Sequence, residues 1–273
     1  MALISRLAQF TAAVAGDAAA VVVLTQSLSN TEGADAVIVK IGSNKTIVGK
    51  NSSITLTNIG LSIKNVKNVI VRNLAIKKVI APGDNIAVQK STNIWLDHLD
   101  LSSDMTHDKD YYDGLLDLTH AADLITVSYV KLHDHFKASL IGHSDNNKAE
   151  DTGHLRVTYY NCHWANLNSR GPSVRFGTVH LWNNYYENVN DGINVRLGAQ
   201  ALVQNNVWVS GKKPLYAVDN DGFAVASGND FGGASNTAPA GTLTSVPYAI
   251  PSLAPASAVK AAVVGSAGNT LSF

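Results

Sequence analysis

The chain has 273 residues, 45% of them hydrophobic and only 15% charged, which suits a folded body and excludes a disordered one. Lys plus Arg and Asp plus Glu balance at 21 each, so no global basic field points to nucleic acid, and any anionic partner must be met by a local patch. Cys162 is the one cysteine, which rules out an intrachain disulfide and a cysteine-based zinc cluster, and no apolar run approaches the ~18–20 residues of a membrane span.

Met1 to Val23 carries alanines and small residues, but Ser5, Gln9, Thr11 and Asp17 interrupt any apolar core, so a signal peptide is not read here. Leu3, Leu7, Phe10 and Val14 fall at helical spacing and predict a short amphipathic helix capping one end of the domain. From Val21 onward short β-branched runs follow one another, at Val21–Leu24, Ala36–Val39 and Thr46–Val48, each too short for a helix.

A repeat then appears. Asn68–Asn73 is echoed by Asn93–His98, Leu124–Tyr129, Leu155–Tyr159, Val179–Asn184 and Ala201–Asn206. Aligned starts at 69, 94, 125, 156, 179 and 201 are about 22 to 31 residues apart, the range of stacked repeat units. No helix-period segment separates these strands, which argues against crossover helices, and a propeller needs four strands per longer repeat. The expectation is an all-β parallel solenoid in one domain, residues 1–273, whose turns stack strand on strand. Asn183-Asn184 and Asn205-Asn206, 22 apart, are placed to stack as an asparagine ladder at a recurring bend.

In a solenoid, residues of equal repeat phase lie side by side, and the long excursions emerge as loops that carry function. The two longest repeats contain Asp104 to Asp117 and His133 to Asp151. Asp104, Asp108, Asp110, Asp113 and Asp117 repel one another unless a cation sits among them, and hard cations such as calcium take several oxygen ligands. A solenoid can set Asp84 beside Asp113 and Asp117, and the even interval between the last two permits one face of a strand. A solvated acidic loop fits the same residues. Lys137 lies one coil on, and Arg170 and Arg175 flank Gly171-Pro172, where a turn could bring both guanidinium groups to one anion site; two surface arginines on a loop is the alternative. The histidines, His98, His133, His135, His143, His154 and His163 among them, show no zinc spacing, and Trp95, Trp164 and Trp182 read as packing residues. Cys162 reads as an inert buried thiol.

Trp95-Leu96-Asp97-His98, Asp113-Gly114-Leu115-Leu116-Asp117, Lys137 and Arg170-Gly171-Pro172-Ser173-Val174-Arg175, in that order, resemble the signature segments of the pectate lyase family of polysaccharide lyases, above all its fungal members. The resemblance runs from about Leu7 through Gly241–Pro247 to the C-terminal Ala-Val-Lys-Ala-Ala-Val segment. It implies a right-handed parallel β-helix and a secreted, monomeric enzyme acting on polygalacturonate or pectin by β-elimination with calcium. It further implies Asp84, Asp113 and Asp117 as calcium ligands, Lys137 and Arg175 as substrate-carboxylate holders, Arg170 as the base, and Asp97 and His98 as structural. Arginine is protonated at ordinary pH, so such a base implies an alkaline optimum.

Three departures from the family pattern stand out. Pro82 sits where some bacterial relatives carry a further acid, Cys162 takes the place of a ladder asparagine, and the Gly-rich lead-in and first strand are missing before Ala2. The neighbouring alternatives are a pectin lyase on methyl-esterified substrate, a galacturonan hydrolase, and a silent pectin-binding β-helix.

Overall fold

The structure is a computed structural model that describes residues 1–31 and 34–273. Every named strand pairing is parallel, and partners are separated by one coil rather than by a hairpin. Strands so short, with one face inward, satisfy their backbone only through the coils above and below, and this stacking is the fold. The result is a parallel β-helix, as the repeat predicts.

Each coil contributes strands to three stacks. One 16-stranded sheet holds two of them: the series Ala20–Leu24, Lys45–Gly49, Lys67–Lys77, Thr92–Ser102, Asp123–Ser128, Arg156–Tyr160, Thr178–Trp182, Gln200–Gln204 and Phe223–Ser227, and a second series including Lys131–Lys137, His163–Ser169, Tyr185–Val189 and Val207–Val209. The long strands Lys67–Lys77 and Thr92–Ser102 run through both. An 8-stranded sheet forms the third stack, with Ile86–Gln89, Leu116–Thr119, Ser139–Ile141, Ser173–Arg175 and Asp191–Arg196 in sequence.

Register follows the repeat with one correction. Val69, Ile94, Ile125, Val157, Val179 and Ala201 are mutual partners, so the fourth repeat begins at Val157 and not Arg156. A slip of one residue exchanges inside for outside, and Val157 is buried while Arg156 is exposed and paired with Asp123.

The recurrent asparagines have a backbone cause. Asn73, His98, Tyr129, Asn161, Asn183 and Asn205 occupy one corner, and all have positive φ. Asparagine tolerates this left-handed conformation better than most residues. One position further on, Asn184 donates from Nδ2 to Asn206 Oδ1 (2.9 Å), and Asn206 donates to Asn229 Oδ1 (3.0 Å). The ladder exists, and Cys162 heads it by donating its backbone N–H to Asn184 Oδ1 (2.9 Å). Burial pushes the Cys162 thiol up to about 12, in keeping with an inert group.

The N-terminal helix spans Leu7–Val14 and buries Phe10 and Val14 against the first coil. Leu3 does not belong to it. It lies exposed in strand Ala2–Ile4, which pairs with Val22–Leu24 and so satisfies that strand's outer backbone edge. Inside, Trp164 stacks on Tyr186 and Tyr186 on Trp208, while on the outer face Tyr160 stacks on Trp182, so these indoles pack.

Candidate functional site

The parallel register of the 8-stranded sheet sets Ala87, Asp117, Leu140 and Ser173 in one row across successive coils. Chain entering these strands supplies Asp84, Asp113 and Arg170. Together Pro82, Asp84, Gln89, Asp113, Asp117, Thr119, Leu140, His143 and Arg170 line a cleft of about 340 Å³. Four of the six residues singled out in the sequence therefore share one cavity.

The carboxylates are fixed by backbone donors. Gly114 N–H donates to Asp84 Oδ1 (2.8 Å), and Leu140 N–H donates to Asp117 Oδ1 (3.1 Å). A Cβ at Gly114 would stand 2.5 Å from Asp117 Oδ1, so this glycine makes room for the carboxylate. Asp113 precedes strand Leu116–Thr119 instead of sharing its face with Asp117, because the strand begins only at Leu116. Asp113 is held from behind. The buried His135 bonds its main-chain carbonyl through Nε2 (2.6 Å) and Ser103 Oγ through Nδ1 (2.6 Å). Burial pushes His135 down to about 4, so the ring is neutral and Nε2–H donates to that carbonyl.

Across the cleft, Arg170 Nη1 stands 3.8 Å from Asp117 Oδ2. Its φ of 62° is one of many left-handed bends in this solenoid and carries no functional weight. Lys137 Nζ lies 3.0 Å from Asp113 Oδ1 and 3.0 Å from Asp110 Oδ1. Arg175 engages a different partner from Arg170. Its Nε donates to Asp145 Oδ1 (2.5 Å) and its Nη1 to the Gly142 carbonyl (3.0 Å). Gly142 sits at φ 88°, and a Cβ there would come within 2.9 Å of Arg175 Cβ. The Gly171-Pro172 turn thus directs Arg170 to Asp117 and leaves Arg175 on the loop that carries His143.

Two half-buried carboxylates lie together here. Burial, then the neighbouring Asp117 charge, holds Asp84 well above the usual carboxylate range. Burial likewise pushes Asp117 up to about 7, against the pull of Arg170 and with Asp113 adding to the rise. Arg170 alone does not offset the two carboxylates, so the pair is short of positive charge. Among the described residues no three His, Cys, Asp or Glu side chains close into a metal cage, and Asp113 is paired with Lys137. The donors nevertheless fit a hard divalent cation: all are carboxylate oxygens, and the pair is short of positive charge.

Sequence reasoning did not find Asp145, or single out Asp110 from its cluster. Each is a partner supplied from a coil about 30 residues away, as the bonds Arg175–Asp145 and Lys137–Asp110 show. Asp97 is structural, as expected: it accepts from Ser128 Oγ (2.6 Å), pairs with Arg72 Nε (2.7 Å) and meets His98 Nδ1 (2.8 Å).

On one sheet of this parallel β-helix the cleft sets carboxylates along one side and a guanidinium on the other, a charge pattern suited to an anionic ligand met together with a cation. Comparison with known proteins gives the class. The family model described as pectate lyase matches residues 1–213. The chain is 61% identical over 271 residues to a protein of Aspergillus flavus named probable pectate lyase A, covering 99% of this chain and 83% of that one. It is 56% identical over 271 residues to pectate lyase A of Aspergillus niger, covering 99% and 82%. Among solved structures, a pectate lyase from Bacillus sp. N165 in complex with trigalacturonate matches with a TM-score of 0.87 at 27% identity, covering 97% of this chain and 92% of that one. The chain belongs to the pectate lyase family and is an enzyme of that class. Among the described residues no helix is long and apolar enough to cross a membrane.

Proposed function

We propose that this enzyme is a calcium-dependent pectate lyase that cleaves α-1,4-linked polygalacturonate by β-elimination to 4,5-unsaturated oligogalacturonides. The observation that carries the reading is the single cleft shared by Asp84, Asp113, Asp117 and Arg170. Asp84, Asp117 and Asp113 would hold the cation. When bound there, calcium would supply Lewis-acid chemistry that withdraws electron density from the uronate carboxylate and acidifies the C5 proton.

The chain's own groups do the rest. Lys137 and Arg175 hold substrate carboxylates, and that contact adds positive charge to the uronate as C5 loses its proton. Arg170, in its unprotonated form, takes the C5 proton. The electron pair forms the C4–C5 double bond, and the glycosidic oxygen leaves C4 and is protonated. Arg170 stands beside Asp117, so base and cation ligand reach the same sugar ring. Such a base requires an alkaline optimum. The enzyme works as a secreted monomer on a polymeric substrate, and the complex of the Bacillus relative with trigalacturonate supports the substrate class.

The test is ultraviolet absorbance at mildly alkaline pH with polygalacturonate, first with calcium and then with excess chelator. Rising absorbance that chelator abolishes and calcium restores is expected. An unchanged rate under chelator would remove the cation from the reading, and release of reducing ends without absorbance would make the enzyme a hydrolase.

A further inference from the structure

Arg175 and Arg196 are register partners on adjacent strands of the 8-stranded sheet. Their side chains are only 14% and 19% exposed, so two guanidinium groups lie side by side with little water between them. Side-by-side cations need an anion. One side chain supplies it on the face they share with loop 142–147: Asp145 Oδ1 accepts from Arg175 Nε (2.5 Å), and both its oxygens lie 3.3 Å from Arg196 Nη2. Asp219 Oδ2 stands farther off, 3.7 Å from Arg196 Nε, and that buried nitrogen makes no hydrogen bond. The arginine pair is therefore built for more acceptor than the chain itself provides.

Asp145 differs from the arginines in its setting. It is 55% exposed, at the bend between strand Ser139–Ile141 and the short helix Lys148–Asp151. A carboxylate that wet gives up its ion pair at small cost, because water replaces the lost contacts. The loop does not depend on it. Asp151 Oδ1 accepts from Ala121 N–H (2.7 Å), Glu150 pairs with His120 (2.8 Å), and Gly142 O holds Arg175 Nη1 (3.0 Å). With Nη1 tied to that carbonyl, Arg175 stays oriented while its Nε edge changes partner.

We propose that Asp145 is an internal stand-in for the substrate carboxylate: it closes the Arg175–Arg196 pair in the free enzyme and is displaced when a uronate carboxylate binds. This rests on the reading of Arg175 as a carboxylate holder. Asp145 then acts as a competitor that keeps the arginines oriented and sets a threshold for binding. A free uronate clears the threshold because it brings a full charge, whereas a methyl ester does not, so Asp145 sharpens the preference for unesterified polymer.

Asp145→Asn keeps the shape of the side chain and removes its charge. With polygalacturonate as substrate, KM is expected to fall about fivefold with kcat changed less than about twofold, because only the free-enzyme contact is weakened. With highly methyl-esterified pectin the change in KM is expected to be much smaller. Asp145→Ala should reproduce the fall in KM and guards against a contact created by the amide. A purely structural Asp145 would instead lower the melting temperature and kcat together, and an unchanged or raised KM in both variants would overturn the proposal. Arg175→Gln separates the two levels: if it leaves KM for polygalacturonate unaltered, Arg175 holds no carboxylate and both readings fall. If it raises KM while the Asp145 variants do nothing, only the stand-in role is lost.

Discussion

Asp117 is the residue on which electrostatics and chemistry meet. Its carboxyl is pushed up to about 7 by burial, whereas an unfolded aspartate ionises near 4. Between those values the native state holds a proton that the unfolded state has released, so this group's contribution to stability falls as pH rises through the window. In chelator, Asp117→Asn removes that slope while keeping an oxygen for the Leu140 N–H. The melting temperature of the variant relative to the parent is expected to rise from near zero at pH 4 to a gain on the order of 5 °C at pH 7. His135, down at about 4, loses stability in the opposite sense as pH falls from about 6.5, but it is common to both proteins and cancels. Calorimetry across pH 4 to 7 checks this, and a flat difference would mean that Asp117 is not protonated in the metal-free fold. At this scale the sequence was readable in placement: Asp84, Asp113, Asp117 and Arg170 could be named before any geometry and do share one cleft, with Lys137 paired to Asp113 at its edge. Asp145, and the hold of His135 on Asp113, were not, because only stacking decides which coil supplies the counter-ion or the brace.

At the scale of the element, repetition made the architecture legible. Six runs of similar pattern could be aligned by eye, and five of the starts, at 69, 94, 125, 179 and 201, are true partners. The fourth failed by one residue because Arg156 lies outside the core, paired with Asp123, and the buried partner is the next residue, Val157. The ladder was legible for the same reason, since its asparagines fall at the bend and recur at the coil length. Its energetic role follows from bonding. Asn206 Oδ1 accepts from the Asn184 N–H and Nδ2 (both 2.9 Å), and Asn206 Nδ2 donates to the Leu181 carbonyl (2.9 Å), all in a fully buried place. Asn206→Ala strands those groups and is expected to destabilise by about 2–4 kcal/mol, since each buried unsatisfied group costs roughly 1–3 kcal/mol. Asn190→Ala removes only a surface amide contact to Asn168 Oδ1 and should change stability by less than about 0.5 kcal/mol. Urea titration of the two variants gives the comparison, and equal effects would mean that the ladder is merely decorative.

The whole molecule has a tie that the repeat pattern does not reveal. A solenoid is held by nearest neighbours, so distant coils are expected to unfold with partial independence. Here the C-terminal segment runs back along the corner between the two stacks of the 16-stranded sheet. The Ala254 carbonyl accepts from Asn183 and Asn205 Nδ2 (2.8 and 2.9 Å), helix Ala256–Val263 buries Val259 and Val263 against Tyr185 and Val207, and Gly268 N–H donates to the Tyr129 carbonyl (2.8 Å). Farther on, Leu271 exchanges bonds with Asn73, Phe273 N–H donates to the Lys50 carbonyl (3.1 Å), and the Phe273 ring lies 5.7 Å from the Arg72 guanidinium. One segment therefore joins the coil of Asn205 to that of Lys50, across coils that touch only in series. Composition could mark this stretch as helical, but its docking site lies about 200 residues back in sequence, as the Leu271–Asn73 separation shows, and no local pattern encodes such a contact. Placing charge in the small apolar contact, by Val259→Asp with Val263→Asp, should undock the helix, because an unpaired carboxylate is not tolerated there. Thermal unfolding is then expected to broaden and its midpoint to drop, while hydrogen exchange quickens at both docked ends, near Asn73 and near Asn205. Lyase activity at 25 °C should persist, since the cleft proposed for catalysis lies on the 8-stranded sheet and shares no residue with the strap. A sharp, unshifted transition in the double variant would mean that the coils couple through their own stacking, and that the strap only covers a surface.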